Sequence, residues 1–487
     1  MSRRNKKQTT LQKFSKITWL VSIIFIVILG YLIYSANVIP TKYFLFFIIV
    51  VVVLTSIHGI IVMRKKTKIW LLILINILAF GIMSVEAFAI CKISDTIAFL
   101  KANLNSHFET SIYYIVVNAE SKYQTLSDIE GKLAYTVKDL DDESLYEKAI
   151  EKKVKLSLEY LNTPSELLEK VLNEDCIIIV NSGNFDAMSE IDQEYSEKVR
   201  ILDTIEITVE KDKIETGLNV TEDPFVIYLS GIDTRSGYMP AKSLSDVNMI
   251  IAVNPKTKHL VMVHIPRDYY VQIHGTVGLK DKLTHAGALG GLELSMATIE
   301  DLLEIEIPYF VRVNFNSVVN LVDAIGGINI NSDVDYSFSC YTDRACTIYP
   351  CLNSVGGRCA LAFARERFAY ATGDRHRGEN QEQVLELIIN KVTSSSTIIS
   401  RYSEILQALD GTFQTNLTME EITSIIKKQI DEMTPWKMES VNVDGTGAYL
   451  PTYSYPGQDL YVMQPKMETV EKAVQKLNEV LETPDEE

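Results

Sequence analysis

Positive charge is in short supply in this chain. Lys and Arg number 47 against 63 Asp and Glu, giving a net charge of −16. That balance argues against a nucleic-acid partner, because a phosphate backbone needs a broad basic face. CxxC pairs are missing among the six cysteines. Cys340, Cys346, Cys351 and Cys359 are clustered all the same, which suggests up to two disulfides with three possible pairings; zinc is the alternative. Cys91 and Cys176 stand apart. No small-residue cleavage site follows the first apolar run, so a cleaved secretory signal is disfavoured.

Apolar sequence is plentiful, and it is concentrated at the start. Three runs, Ile17–Tyr34, Tyr43–Met63 and Ile69–Ile90, approach or exceed the roughly 20 residues that span a bilayer. Arg3, Arg4, Lys6, Lys7, Lys13 and Lys16 precede the first run, and Arg64, Lys65, Lys66 and Lys68 separate the second from the third. Only Lys42 lies between the first and second. Basic loops stay cytoplasmic. The expectation is a cytoplasmic tail over 1–16, three transmembrane helices over 17–91, and everything after residue 92 outside the cell.

A connector is expected over 92–110 and a small α/β accessory domain with parallel strands over 111–210, from its alternating strand and helix patterns. It carries no catalytic constellation of its own. A polar linker over 211–224 precedes a domain expected to run from 225 to 487. In that domain Phe225–Leu229, Val247–Val253 and Leu260–Ile265 read as strands, the last two joined by the turn sequence Asn254–Lys258. The fold class is α/β, mixed with α+β: a mixed central sheet flanked by helices.

Chemistry gathers in this last region. If the hairpin turns between Lys256 and Thr257, Asp246 lies opposite Arg267. On a helical wheel Arg377 and Gln381 share a face with Val384, Leu385, Ile388 and Val392, so both point inward near a helix N-terminus. Arginine is costly beside a core unless it meets an anion. Arg365 and Arg367, two apart, converge only if the chain leaves its helix there. Asp233, after a glycine at a strand end, and Asp246 could hold Mg²⁺ or Mn²⁺ with phosphate oxygens. Asp374 suits a general base. The pattern reads as a site for a polyanionic phosphate ligand.

Ordered pieces carry a resemblance over Phe225–Val392. They are Gly231-Ile232-Asp233-x-Arg235, Ser245-Asp246, Ile265-Pro266-Arg267-Asp268, Asn320-Leu321-Val322-Asp323-x-Ile325-Gly326-Gly327, Ala364-Arg365-x-Arg367 and Asp374-x-x-Arg377-x-x-x-Gln381. Together they resemble the LytR-CpsA-Psr family. Three spans and an α/β insert ahead of the domain are similar to its capsule-assembly members. The resemblance implies an extracytoplasmic transferase. It would move an undecaprenyl-pyrophosphate-linked glycopolymer, of capsular polysaccharide type, onto peptidoglycan and release lipid phosphate, in company with other capsule-assembly proteins. Asp233 and Asp246 match metal ligands. Arg267, Arg365, Arg367, Arg377 and Gln381 match pyrophosphate-binding positions, and Asp374, with Arg267, the catalytic ones. The lipid would occupy an apolar pocket in the domain core. A polyprenyl-pyrophosphate phosphatase and a non-enzymatic lipid-binding regulator of capsule assembly are the alternatives.

Overall fold

A computed structural model describes residues 3–482, except for 38, 65–66, 105–107, 139–142, 211–215, 234–238, 333–335, 340–344, 371–372, 395–396, 398–400 and 410–411. Arg235 and Cys340 lie outside the described residues. The chain forms two compact units.

The first unit comprises residues 1–105, 393–407 and 418–434. Its three long helices are α1 (Arg3–Ala36), α2 (Thr41–Met63) and α3 (Ile69–Leu104). Stretches of 27, 23 and 26 residues within them are long and apolar enough to cross a membrane. Among the described residues few polar contacts join them: Gln12 Nε2 donates to Val62 O at 3.2 Å, Trp19 Nε1 to Thr55 O at 3.0 Å, and Asn76 Nδ2 to Ser15 Oγ at 2.6 Å. Residues 92–104, read from sequence as connector, continue α3. Residues 418–434, expected to belong to the last domain, group with these helices instead, and Lys42 pairs there with Asp431 at 2.7 Å.

Among the described residues the second unit holds two large sheets and four two-stranded ones in one compact body. The first is built from β1 (Phe108–Asn118), β2 (Leu133–Val137), α4 (Glu143–Lys153), β3 (Ser157–Leu161), α5 (Pro164–Asn173), β4 (Ile177–Asn181), α6 (Ser182–Ile191), α7 (Tyr195–Lys198) and β5 (Val199–Glu210). Its order is β3-β2-β4-β1-β5. Strands β3, β2 and β4 are parallel, but β1 runs antiparallel to both β4 and β5, so the expectation of parallel strands holds for only three of the five. β4 is buried along its whole length, as its unbroken Ile-Ile-Ile-Val run requires of a strand covered on both faces.

The larger sheet follows. From there the chain runs through β6 (Phe225–Ile232), β7 (Val247–Asn254), β8 (His259–Ile265), β9 (Tyr270–Val271), β10 (Asp281–Lys282), α8 (Leu283–Leu303), β11 (Tyr309–Asn314) and α9 (Phe315–Ala324). Next come β12 (Ile328–Asn331), β13 (Tyr336–Ser339), β14 (Ala345–Ile348), β15 (Leu352–Val355), α10 (Gly357–Arg365), α11 (Asp374–Thr393) and α12 (Tyr402–Ala408). The chain closes with β16 (Phe413–Thr415), α13 (Met419–Glu432), β17 (Lys437–Asn442), β18 (Gly445–Pro451), β19 (Asp459–Pro465) and α14 (Met467–Leu481). Six strands pair in the order β16-β11-β6-β7-β8-β17, with β11 parallel to β6 and β17 parallel to β8. Val226, Tyr228, Ile250, Ala252, Val261 and Val263 bury one face against Leu292 and Ile299 of α8 and Val470 and Leu477 of α14.

The opposite face is less closed. Leu229 pairs with Met249 on one side and Val311 on the other, in the middle of the sheet. Yet Ile227, Leu229, Val311 and Val313 are only half-buried. An interior strand normally seals both faces. Here apolar surface stays accessible on the face that His264 shares with Met249, its partner in the register.

Candidate functional site

One end of the large sheet gathers the charged residues. β6 and β8 end there and β7 begins there, so Asp233, Asp246 and Arg267 meet. The register Asn248↔Ile265 and Met249↔His264 continues the pairing that brings Asp246 opposite Arg267. Arg267 Nη1 donates to Asp246 Oδ1 at 2.5 Å. Gly231 lets β6 lie close against β7 here, since a Cβ would come within 2.8 Å of Val247.

The same Nη1 also donates to Glu190 Oε1 at 2.9 Å. Asp268 approaches Arg267 Nε at 3.9 Å and is itself paired with Lys282 at 3.1 Å. Burial alone would lower the pKa of this guanidinium, but Asp246, Glu190 and Asp268 together raise it, so Arg267 is a permanent cation. Its position comes from both α/β layers, because Glu190 belongs to α6.

Asp186 lies one turn earlier on α6. Burial and then Asp233, Glu190 and Asp246 push its carboxyl up to about 7. The residue keeps exposed surface, so the three neighbouring carboxylates are the cause that matters. Sequence reasoning missed both α6 residues. Their spacing of four on a helix that follows a buried strand was visible, but nothing in the sequence says that this layer reaches the other's site.

Arg365 closes α10. The helix stops there and Glu366 is extended (φ −69°, ψ 130°), so the chain does leave its helix at the arginine pair. Arg365 Nη2 donates to Asp233 Oδ2 at 3.1 Å, and its guanidinium lies 4.2 Å above the Phe315 ring. Arg367 is not gathered with it: the residue is exposed and stacks over Phe368. A disulfide between Cys346 and Cys359 ties β14 to α10 ahead of Arg365. Cys351, Cys91 and Cys176 are free.

α11 begins at Asp374, so Arg377 and Gln381 lie on its first turns. Arg377 is buried, as are Val384 and Ile388 on the same helix. Gly378 allows α11 to pack on β8, since a Cβ there would lie 2.6 Å from His264 Nδ1. Burial, and next Arg377, hold the His264 imidazole down to about 3, against the hydrogen bond from Gln381. His264 is therefore a neutral spacer. The side chain of Asp374 lies outside the described residues. Exposed Arg375 approaches Asp444, after β17, at 3.7 Å.

Glu382 is buried one residue beyond Gln381 and is pushed up to about 7, first by burial, against hydrogen bonds from the His264 backbone and Ser440. The sign follows from linkage. The folded-state pKa exceeds the unfolded one, so the folded protein is favoured when Glu382 is protonated. Stability from this group is greatest below the unfolded value near 4.5, declines as pH rises toward 7, and is level above. Glu382→Gln should therefore raise stability at pH 8 by up to ~3 kcal/mol, at 1.36 kcal/mol per pKa unit. Denaturant melts of both proteins at pH 5 and pH 8 check this; an equal difference at both pH values would refute it.

Among the described residues, no group of three or more His, Cys, Asp and Glu side chains is arranged to hold a metal ion. Asp233 and Asp246 are each engaged by an arginine. Their oxygens are hard donors, and the neighbouring excess of carboxylates seen at Asp186 suits a divalent cation. Two protein carboxylates suffice only if a phosphate ligand supplies further oxygens. The assembled features are a forked arginine fixed by carboxylates, a second at a helix end, a third inside a helix N-terminus, and an apolar sheet face alongside. Such a site can bind a phosphate group attached to an apolar chain.

The LytR_cpsA_psr family model matches residues 189–476, more than half of the chain. The chain belongs to this family. It is 35% identical over 254 residues to the polyisoprenyl-teichoic acid–peptidoglycan teichoic acid transferase TagU of Enterococcus faecalis, covering 52% of this chain and 80% of that one. With TagU of Bacillus subtilis it shares 35% over 225 residues, 46% of this chain and 70% of the relative. The crystal structure of B. subtilis TagV aligns with a TM-score of 0.46 at 28% identity, over 54% of this chain and 99% of that one.

Proposed function

We propose that this protein transfers a glycopolymer from a membrane-lipid pyrophosphate, of undecaprenyl type, to peptidoglycan on the outer side of the cytoplasmic membrane. The observation that carries the reading is Arg267, held by Asp246 and Glu190 at the end of a sheet whose apolar face stays open. The names of the TagU relatives, transferases of polyisoprenyl-linked teichoic acid to peptidoglycan, support the reaction class. Capsular polysaccharide is the polymer we assign. The basic residues in the first turns of α1 and in the segment linking α2 to α3 support an outward-facing second unit.

The chemistry needs positioning and charge neutralisation more than covalent help. Arg267, Arg365 and Arg377, with Gln381, would bind the pyrophosphate, Arg267 through the arm that its carboxylates leave unused. Arg367, exposed on the rim, would join only once the ligand is in place. Asp374 would accept the proton of the incoming sugar hydroxyl. Release of lipid monophosphate requires rupture of the P–O–P bridge, so the polymer's own phosphate travels with it. Asp233 and Asp246 are the residues that would hold Mg²⁺ or Mn²⁺, which when bound offsets pyrophosphate charge.

The test supplies full-length protein in nanodiscs with a polyprenyl-pyrophosphate oligosaccharide, Mg²⁺ and peptidoglycan fragments. Ligated product with release of lipid monophosphate is expected. Release of lipid monophosphate and oligosaccharide phosphate without ligation would instead establish a lipid-pyrophosphate hydrolase. Binding without turnover would establish a lipid-binding regulator of polymer assembly.

A further inference from the structure

We propose that α13 is an interfacial helix whose apolar face is seated in the surface of the lipid bilayer, beside the connection between α1 and α2. Thr418 and Glu421 form the capping box that starts it. At about 100° per residue, Met419, Ile422, Ile425, Ile426 and Ile430 fall on one face, and Glu420, Lys427, Lys428 and Asp431 on the other. A helix on a water-soluble domain hides its apolar face and shows its polar one. In α13 the buried side chains are the polar Thr423 and Gln429, while all five apolar ones keep part of their surface open. Gln429 is occupied in holding neighbouring chain: its Nε2 donates to Thr393 O at 3.3 Å and to Thr434 O at 3.1 Å.

The long helices show what meets the open face. The apolar stretch of α1 ends at Ala36 and that of α2 begins at Thr41, so the connection between them lies at one surface of the bilayer. Tyr34 and Tyr43, both exposed, flank it, as aromatic residues do at a membrane–water interface. α13 is bonded to both ends of this connection. Lys427 Nζ donates to Asn37 Oδ1 at 3.0 Å, and Lys42 Nζ meets Asp431 Oδ1 at 2.7 Å and Asp431 O at 3.1 Å. Lys427 and Asp431 are about one turn apart, so two successive turns of α13 are held there. α13 also packs on α3. Three successive spans bring the α1–α2 connection and the end of α3 to the same side of the membrane, the side on which α13 lies. Its half-open apolar face therefore continues the lipid-facing surface of the spans.

Charge does not hold the helix there. α13 carries Glu420, Glu421, Asp431 and Glu432 against Lys427 and Lys428, so anionic headgroups would not attract it. Burial of apolar side chains among lipid does the holding. In sequence α13 falls between β16 and β17, the two edge strands of the large sheet. The domain that carries Arg267 thus has a second attachment to the membrane besides its chain link to α3. The proposal needs α1, α2 and α3 to cross the membrane and does not need the transferase reading.

Photo-crosslinking of the full-length protein in nanodiscs tests the placement. A benzophenone amino acid replaces, one at a time, Ile425 and Ile430 on the apolar face, Lys428 on the charged face, and Phe46, an exposed residue of α2. Irradiation in phosphatidylcholine discs should attach lipid, read by mass spectrometry, at Phe46 and at Ile425 or Ile430, in a yield at least about fivefold above that at Lys428. Discs enriched in phosphatidylglycerol should give the same pattern. Ile425 and Ile430 report on one face from separate turns, so a replacement that disturbs the helix at one leaves the other to read. Lipid at Phe46 but at neither isoleucine overturns the proposal and leaves the spans standing. Equal labelling at Lys428, crosslinks from the isoleucines only to a second copy of the chain, or adducts that require phosphatidylglycerol overturn it as well.

Discussion

Replacing Arg267 with alanine should reduce polymer transfer by about 10²–10³-fold, the loss expected when one fixed donor to developing charge is removed. The residue is held by two carboxylates on one nitrogen, at 2.5 and 2.9 Å, and its side chain is only 14% exposed. Removing it leaves Asp246 and Glu190 facing each other without their shared cation. A destabilisation of about 3–5 kcal/mol is therefore expected as well. Arg267→Lys separates the two effects. Lysine keeps the charge, and so most of the stability, but it cannot offer a planar fork. Transfer by the lysine variant should stay at least tenfold below wild type while its melting temperature falls by only a few degrees. Wild-type transfer in both variants would remove Arg267 from the site. Loss of transfer that simply tracks loss of fold would reduce it to a structural ion pair.

Much of this site was legible because its geometry is local. The turn sequence Asn254–Lys258 sets a hairpin register, and the register alone brings Asp246 opposite Arg267. The helical wheel turned Arg377 inward because its face is shared with Val384 and Ile388, which are buried. Arg365 and Arg367 were harder, since their convergence depends on where α10 ends. It ends between them, yet Arg367 is left at the surface. The contribution of α6 could not be read at all. Asp186 and Glu190 belong to a segment with its own sheet and core, and only the docking of one layer on the other brings them to Arg267. Docking depends on surfaces far apart in sequence, such as Gly183 against Ala288, where a Cβ would come within 2.7 Å of backbone. No periodicity reports such a contact. The grouping of residues 418–434 with the N-terminal helices escaped prediction for the same reason, because an amphipathic helix shows that it packs and does not show against what.

Leu229→Trp should separate the lipid binding proposed for the sheet face from the phosphate binding proposed for its end. Leu229 is central in β6, flanked by Met249 and Val311, and is half-buried where a sealed sheet would bury it. Its face is the one against which Gly378 brings α11, and the half-buried side chains on it are those of β6 and β11. Burying each methylene of a lipid tail contributes about 0.8 kcal/mol, and loss of contact with only two or three would weaken donor binding about fifteenfold to sixtyfold. An indole at position 229 occupies that surface and leaves Asp233, Asp246 and Arg267 in place. With a long polyprenyl-pyrophosphate donor, kcat/KM should fall at least tenfold, mainly through KM. A donor with a tail of one or two isoprene units should lose much less, because its tail does not reach the blocked surface. Equal losses with long and short donors would mean that tryptophan had disturbed the phosphate end. No loss with either would mean that the tail lies elsewhere and that the open face of β6 and β11 serves another purpose.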